Sequence, residues 1–216
     1  MYEFILFDLD GTLLDTLDDL TASVNYALRQ NGKKERSKQE VRSFIGNGIR
    51  LLIERAIGEK DSLDFEKVFS DFKTHYASHC AEKTKVYDGV LQVLSALKAK
   101  GKRMAVLSNK ADFATKQLCV QYFDGLIEVA VGERESEGIR KKPAPDAVFS
   151  VMDGFGANKQ NTVYVGDSEV DIETAGNAGI DCICVTWGFK DKEFLIENGG
   201  KVFADTPQQL LQLLSL

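Results

Sequence analysis

Residues 4–16 read FILFDLDGTLLDT, and this stretch decides the fold that the rest of the chain must complete. Its first four residues are all apolar, which is typical of a strand buried on both faces of a parallel sheet. Four later runs are also nearly continuously apolar, at residues 104–107, 126–131, 162–165 and 182–186. Segments with helical periodicity separate most of these runs. Strands alternating with helices predict an α/β fold with a parallel sheet.

One long segment, residues 17–83, has no strand signal and interrupts this alternation directly after the first strand. Apolar residues at helical spacing predict four helices in it. The first ends near Gly32, the second begins at a Ser37–Glu40 capping box, and the third ends at Gly58. A block this long cannot be a simple crossover between neighbouring strands. The sequence therefore predicts a core of residues 1–16 and 84–216 with residues 17–83 as an inserted helical domain.

Composition excludes several classes of protein. The 216 residues carry a formal charge of −6 and no basic stretch suited to nucleic acid. No apolar run reaches the ~18 residues of a membrane span, and the start of the chain does not resemble a signal peptide. We therefore expect a cytoplasmic protein with no nucleic-acid or membrane partner. The composition leaves monomer and homodimer open. The four cysteines include no C-x-x-C pair, which favours reduced thiols.

Acidic side chains follow two of the predicted strands. Asp8 and Asp10 lie two residues apart, so they share a face at the carboxyl end of the first strand, where open α/β sheets bind ligands. Asp167 and Asp171 follow the run at 162–165. Two local alternatives exist, because Asp10 begins a turn-forming Asp-Gly pair and Asp171 completes a capping box with Ser168. Neither alternative accounts for Asp8 or Asp167.

A hydroxyl, an amide and a lysine follow the other strand ends. Ser108 and Asn109 end the run at 104–107, where they suit either a helix N-cap or a phosphate site at a helix N-terminus. Lys142 stands before Pro143 and is either a solvated lysine or one whose direction the prolines fix. Clustered carboxylates repel unless a cation lies among them, and Mg²⁺ accepts carboxylate and phosphate oxygens. Zinc is disfavoured because these loops lack histidine and cysteine.

These residues resemble the four ordered motifs of the haloacid dehalogenase superfamily. The motifs are Asp8-x-Asp10-Gly-Thr, Ser108-Asn109, Lys142-Pro143 and Gly166-Asp167-Ser-x-x-Asp171. The resemblance covers nearly the whole chain and implies a Rossmann-like parallel-sheet core with an inserted α-helical cap domain. The helical insertion and the stretch Gly46-Asn-Gly-Ile-Arg50 are most similar to the phosphoglycolate phosphatase-like branch.

The resemblance implies a Mg²⁺-dependent phosphatase that forms an aspartyl-phosphate. Asp8 is then the nucleophile, and Asp10 is the general acid and base. Ser108 and the backbone amides around Asp10, Gly11 and Asn109 hold the phosphoryl oxygens, and Lys142 offsets negative charge. The implied metal-binding residues are Asp8, Asp10 through its backbone carbonyl, Asp167 and Asp171.

The implied substrate is a small phosphorylated metabolite, with phosphoglycolate first. A pyrophosphatase, a nucleotidase and a phosphosugar phosphatase or mutase remain alternatives, although Leu20 stands where the mutases have histidine. A receiver-like phospho-acceptor module is the non-enzyme alternative, disfavoured by the insertion and by Asp10. Arg50, in the first turn of a predicted helix, suits the carboxylate of phosphoglycolate; the alternative is a solvated arginine like Arg55.

Overall fold

The computed structural model describes residues 1–58 and 62–215, so residues 59–61 of the predicted insertion lie outside the described part. The chain forms two compact units. One comprises Met1–Leu14 and Val86–Leu216, and the other comprises Asp15–Lys85. These boundaries lie two residues from those predicted. A two-stranded ribbon of β2 (Leu14–Asp15) and β3 (Lys85–Val86) stands where the chain passes from one unit to the other.

The larger unit contains a six-stranded sheet. Its strands are β1 (Phe4–Phe7), β4 (Arg103–Ala111), β5 (Val129–Glu133), β6 (Thr162–Gly166), β7 (Asp181–Val185) and β8 (Val202–Ala204). They run in the order β5-β4-β1-β6-β7-β8, and every pairing is parallel. Residue Phe7 of β1 lies opposite Val106 of β4 and Val165 of β6. The predicted parallel α/β core is therefore confirmed, with the first strand at its centre.

Helices cover the sheet. They are α5 (Val90–Ala99), α6 (Asp112–Phe123), α7 (Asp146–Phe155), α8 (Glu169–Ala178), α9 (Lys192–Glu197) and α10 (Pro207–Ser215). Phe4 and Leu6 of β1 pack in one core cluster with Val148 and Met152 of α7. Ile5 and Phe7, which alternate with them along β1, are also fully buried. Both faces of β1 are therefore covered, as its uninterrupted apolar sequence requires.

The described residues of the smaller unit form four helices: α1 (Leu17–Gln30), α2 (Lys38–Phe44), α3 (Ile49–Ile57) and α4 (Ser62–His79). Ser37 and Glu40 form the predicted capping box at the start of α2, and Gly58 ends α3 in the left-handed conformation. Asp19 of α1 is buried, and its carboxylate accepts hydrogen bonds from the backbone N–H groups of Lys83 and Thr84. These bonds hold the returning chain against α1.

Two details of the sheet differ from the sequence prediction. Strand β5 begins at Val129 and not at residue 126, because the N–H groups of Leu126 and Ile127 bond back to the carbonyl of Phe123 in a turn. Strand β8 was not predicted, since three residues at a sheet edge leave no periodic pattern. None of the helices in the described part of the chain has the length and apolarity that crossing a bilayer requires.

Candidate active site

The turn after β1 places the first two carboxylates. The N–H of Asp8 bonds to the carbonyl of Val165 at 2.9 Å, which continues the pairing of β1 with β6. The carbonyl of Leu9 then accepts bonds from the N–H groups of residues 12–14, closing a tight turn. Gly11 has a φ of +87°, a conformation that residues with a Cβ rarely adopt. The Asp-Gly turn interpretation is thus right, and the turn also fixes the position of Asp10.

Three buried carboxylates meet beside this turn. Ligand oxygens of Asp8, Asp167 and Asp171 all lie within 4.8 Å of one another. Asp167 accepts hydrogen bonds from the Thr12 hydroxyl at 3.1 Å and from the N–H of Phe189 at 2.7 Å. The motif after β1 and the motif after β6 therefore form one site.

Two glycines leave room for the side chain of Asp167. A Cβ on Gly11 or on Gly188 would lie 2.3 Å from Asp167 Oδ2. Such contacts are far inside van der Waals distance, so both positions require the absence of a side chain. The backbone at two separate loops can therefore close on this carboxylate and hold it in one orientation.

The Lys142 ammonium group lies among three oxygens. Its Nζ is 2.9 Å from Asp8 Oδ1, 2.7 Å from Asp171 Oδ1 and 3.0 Å from the hydroxyl of Tyr164. The Tyr164 hydroxyl donates in turn to the carbonyl of Leu107 at 2.8 Å. Burial alone lowers the pKa of Lys142, but the charges of Asp171 and Asp8 outweigh it and hold the pKa well above its ordinary value. Lys142 is therefore a buried cation, and the alternative of a solvated lysine is wrong.

Asn109 holds Lys142 by its backbone. The Asn109 side chain accepts a hydrogen bond from the Lys142 N–H at 2.9 Å and donates one to the Lys142 carbonyl at 3.0 Å. The N-cap interpretation of Ser108 and Asn109 is wrong, because β4 continues to Ala111 and Ala111 stands at the N-cap of α6. The Ser108 hydroxyl accepts from the N–H of Lys110 at 3.3 Å.

Asp10 has a separate cationic partner. Lys110 Nζ lies 2.8 Å from Asp10 Oδ1 and 3.1 Å from Oδ2. Within the described part of the chain, the carboxylate of Asp10 does not belong to the group of three that could hold a metal ion. The proposed metal contact through the Asp10 backbone carbonyl therefore stays a prediction.

The charges of the site fit a divalent cation. Four carboxylates (Asp8, Asp10, Asp167 and Asp171) face two lysines, Lys110 and Lys142, which leaves two negative formal charges. Burial raises the pKa of Asp8 to about 7, although Lys142 opposes the rise. Burial, followed by the charges of Asp171 and Asp8, raises the pKa of Asp167 well above its ordinary value. Hard carboxylate oxygens with unbalanced charge are the donors that Mg²⁺ and similar cations select.

Asp171 serves two local roles in the structure. Its Oδ2 accepts hydrogen bonds from the backbone N–H and the hydroxyl of Ser168, at 3.1 and 2.7 Å, which caps α8. Its Oδ1 faces Lys142. The capping interpretation of Asp171 is therefore right, while its role toward a metal ion stays a prediction.

Arg50 lies in the other unit, in the first turn of α3. Its guanidinium contacts Glu66 at 2.9 Å and lies over the ring of Phe65, 4.6 Å from the ring centre. Both charged side chains are more than half exposed. Arg50 thus links α3 to α4 and is not merely solvated, and its role toward substrate stays a prediction.

Three side chains of the site were not assigned a role from the sequence: Thr12, Lys110 and Tyr164. Each lies within three residues of a predicted one, so proximity to the motifs was a usable signal. Their partners depend on the packing of different strands, which no local pattern shows.

Comparisons with known proteins agree with this geometry. The family model of the haloacid dehalogenase-like hydrolases matches residues 5–185. The phosphoglycolate phosphatase of Colwellia psychrerythraea is 33% identical over 97% of this chain and 95% of its own. That of Aquifex aeolicus is 33% identical over 86% of this chain and 85% of its own. A crystal structure from Lactobacillus delbrueckii subsp. bulgaricus superposes with a TM-score of 0.92 at 35% identity, covering 99% of this chain and 98% of the other.

Three features define the class of protein. They are a Rossmann-like sheet, a carboxylate cluster at its strand ends and a helical insertion after the first strand. The chain belongs to the haloacid dehalogenase-like hydrolase family. Within that family it is a phosphatase of the phosphoglycolate phosphatase-like branch, as the helical insertion and the stretch from Gly46 to Arg50 predicted.

Proposed function

We propose that this enzyme hydrolyses a small phosphate monoester, phosphoglycolate before others, with Mg²⁺ and through an aspartyl-phosphate. The observation that supports it most is the buried Asp8 beside Lys142, with Asp10 in the tight turn that follows β1. A buried carboxylate next to a buried ammonium is a nucleophile whose charge is partly offset before a phosphate dianion arrives. The names of the two relatives reported above, both phosphoglycolate phosphatases, support the choice of substrate.

In the first step a carboxylate oxygen of Asp8 attacks phosphorus. A new P–O bond to Asp8 forms as the P–O bond to the leaving alcohol breaks, and the carboxyl group of Asp10 gives that alkoxide a proton. Lys142 offsets charge on Asp8 and on the phosphoryl oxygens. The Ser108 hydroxyl and the backbone amides around Gly11 and Asn109 donate hydrogen bonds to those oxygens.

In the second step the Asp10 carboxylate takes a proton from a water molecule, and the water oxygen attacks phosphorus. The P–O bond to Asp8 breaks, so the Asp8 carboxylate and inorganic phosphate are released. The same group can act first as an acid and then as a base because the first step leaves it deprotonated. A receiver-like module would keep its phospho-aspartate instead.

Asp8 and Asp167 would hold Mg²⁺ with the backbone carbonyl of Asp10, and Asp171 would either bind it or hold Lys142 in place. Bound there, the cation would screen the repulsion between the carboxylates and the phosphate and polarise a phosphoryl oxygen. The charge count of the site supports a divalent cation over a monovalent one.

Asp10→Asn tests the acid–base role. The amide keeps the backbone carbonyl but cannot move a proton, so kcat/KM should fall by roughly 10²–10⁴ for an alkyl phosphate such as phosphoglycolate. Since kcat/KM reports the steps up to formation of the aspartyl-phosphate, the loss should be much smaller for dinitrophenyl phosphate, whose leaving group needs no proton. Equal losses on both esters would remove Asp10 from the leaving-group step.

Arg50→Ala tests the substrate. If the guanidinium binds the carboxylate of phosphoglycolate, kcat/KM for that ester should fall about 10-fold or more, the effect of one good charged contact. Activity on nitrophenyl phosphate, which has no carboxylate, should change far less. Stability should change by under about 1 kcal/mol, because the pair with Glu66 is exposed.

The matched control is Arg55→Ala on the same helix, which removes a bond to the carbonyl of Phe44. It should leave both substrates unaffected. Equal losses of Arg50→Ala on both esters would assign Arg50 to the packing of α3 on α4, and no loss on either would exclude a role in turnover.

The function itself is tested by measuring phosphate release from a panel of substrates, with Mg²⁺ and with a chelator. We expect release that requires Mg²⁺ and a kcat/KM highest for phosphoglycolate. A higher kcat/KM for pyrophosphate, a nucleotide or a phosphosugar would identify a different substrate, and the proposed mechanism would still hold. Stable phosphorylation of Asp8 without phosphate release would favour the receiver-like alternative.

A further inference from the structure

Lys110 is a second buried lysine in the site, and the mechanism above does not use it. Its side chain is 1% exposed, and its Nζ contacts both carboxylate oxygens of Asp10. Burying an ammonium group is costly unless it is paired, and pairing one with a carboxylate confines both groups to one geometry. The contact is therefore a fixed feature of the interior and not a mobile surface pair.

The sheet explains how Lys110 reaches Asp10. Strands β1 and β4 are parallel neighbours, with Phe7 opposite Val106, so the residues beyond each end lie side by side. The register of β4 toward β5 shifts between Leu107 and Ala111. In that irregular stretch, Lys110 donates its N–H to the Ser108 hydroxyl, and its carbonyl accepts from the Thr115 hydroxyl at 3.4 Å. Its backbone is thus held on both sides while its side chain extends to Asp10.

We propose that Lys110 is a positioning residue for Asp10. By contacting both oxygens it holds the carboxyl group in one orientation, from which a proton can pass to the leaving oxygen and later be taken from water. Without Lys110, Asp10 would lose this contact while remaining close to the negative charge of Asp8. This role rests on the proposed acid–base function of Asp10 and adds to it a residue outside the four motifs.

Lys110→Met tests the proposal, because methionine keeps most of the chain length and removes the charge. We expect kcat/KM for phosphoglycolate to fall about 10²-fold, at the low end of general acid catalysis, with KM little changed. For dinitrophenyl phosphate, which leaves without a proton, the fall should be within about threefold. A residue that only supported the fold would lower both values equally, and that result would overturn the proposal.

The decisive test introduces Lys110→Met into the Asp10→Asn variant and compares the double variant with Asp10→Asn alone. If Lys110 acts only through Asp10, adding Lys110→Met to Asp10→Asn should change kcat/KM less than twofold, since the group that Lys110 positions is already inactive. A further tenfold loss would show that Lys110 acts on something other than Asp10. The matched control is Lys116→Met, which removes an exposed lysine paired with Asp112 and should leave both substrates unaffected.

Thermal unfolding tests the contact without any substrate. Lys110→Met should lower the Tm, because it removes the ammonium group that contacts Asp10, and Asp10→Asn added to it should recover part of the loss. Additive losses of Tm would mean that the pair does not form, which overturns the proposal even for a single variant too unstable to assay. If the unmodified enzyme hydrolyses neither ester, the proposed function fails, and the Tm cycle still reports on the contact.

Discussion

Asp8→Asn should abolish hydrolysis of every phosphate ester, because the amide oxygen cannot form an aspartyl-phosphate. Residual turnover above a few per cent of the unmodified enzyme would remove Asp8 as the nucleophile. The measurement is phosphate release at saturating substrate and Mg²⁺. Asp153→Asn, at an exposed position of α7, is the matched control and should be fully active.

The same variant should not be destabilised in the absence of Mg²⁺. Burial raises the pKa of Asp8 from an ordinary value of 3.8 to about 7 in the folded chain. A carboxyl group with a raised pKa favours the folded state at low pH, and that contribution is lost as the pH rises through about 7. Asparagine does not titrate, so the variant lacks this pH-dependent contribution. The difference in Tm, variant minus unmodified enzyme, should therefore be more positive at pH ~8 than at pH ~5. An unchanged difference would mean that Asp8 is not desolvated.

Lys142→Met should damage both activity and stability. The substitution leaves the buried carboxylates of Asp8 and Asp171 without the ammonium group that lies between them. Breaking a buried ion pair from one side costs on the order of 3–5 kcal/mol, so we expect a large fall in Tm. The loss of a positive group at the proposed phosphoryl site should lower kcat by about 10³-fold or more, beyond the effect of one hydrogen-bond donor.

Two further measurements separate these effects. Mg²⁺ should raise the Tm of Lys142→Met more than that of the unmodified enzyme, because the variant has more uncompensated negative charge. The control is Lys141→Met, one residue earlier, whose ammonium group pairs with Glu135 at the surface. A wild-type Tm for Lys142→Met would contradict the buried contacts with Asp8, Asp171 and Tyr164.

Local patterns were enough to predict the strands that build the core and the helices of the insertion. Uninterrupted apolar runs marked β1 and β6, and the Ser37–Glu40 capping box marked the start of α2, because these signals depend on residues close in sequence. They failed where the signal is short, as in the three residues of β8. They also failed where a turn competes with a strand, as at Leu126 and Ile127.

The motifs likewise placed Asp8, Asp10 and Asp167 at strand ends. A parallel sheet brings the carboxyl ends of its strands to one edge, so the order of strands and motifs in the sequence already implied a shared site. Their chemical types, three carboxylates without a nearby histidine or cysteine, implied a hard cation. Sequence alone thus determined the class of fold, the class of chemistry and most of the side chains that the structure brings together at the strand ends.

Only the tertiary structure decided which groups pair. Asn109 holds the backbone of Lys142, 33 residues away, and Lys110 contacts Asp10, 100 residues away. Both pairings depend on the register of β4 and on the irregularity after Leu107, which no local pattern encodes. Hydrogen bonds and ion pairs form over about 3 Å, so a shift of one residue would change every partner. The sequence therefore supplies the polar groups of the candidate site, and the packing of the strands assigns each of them its partner.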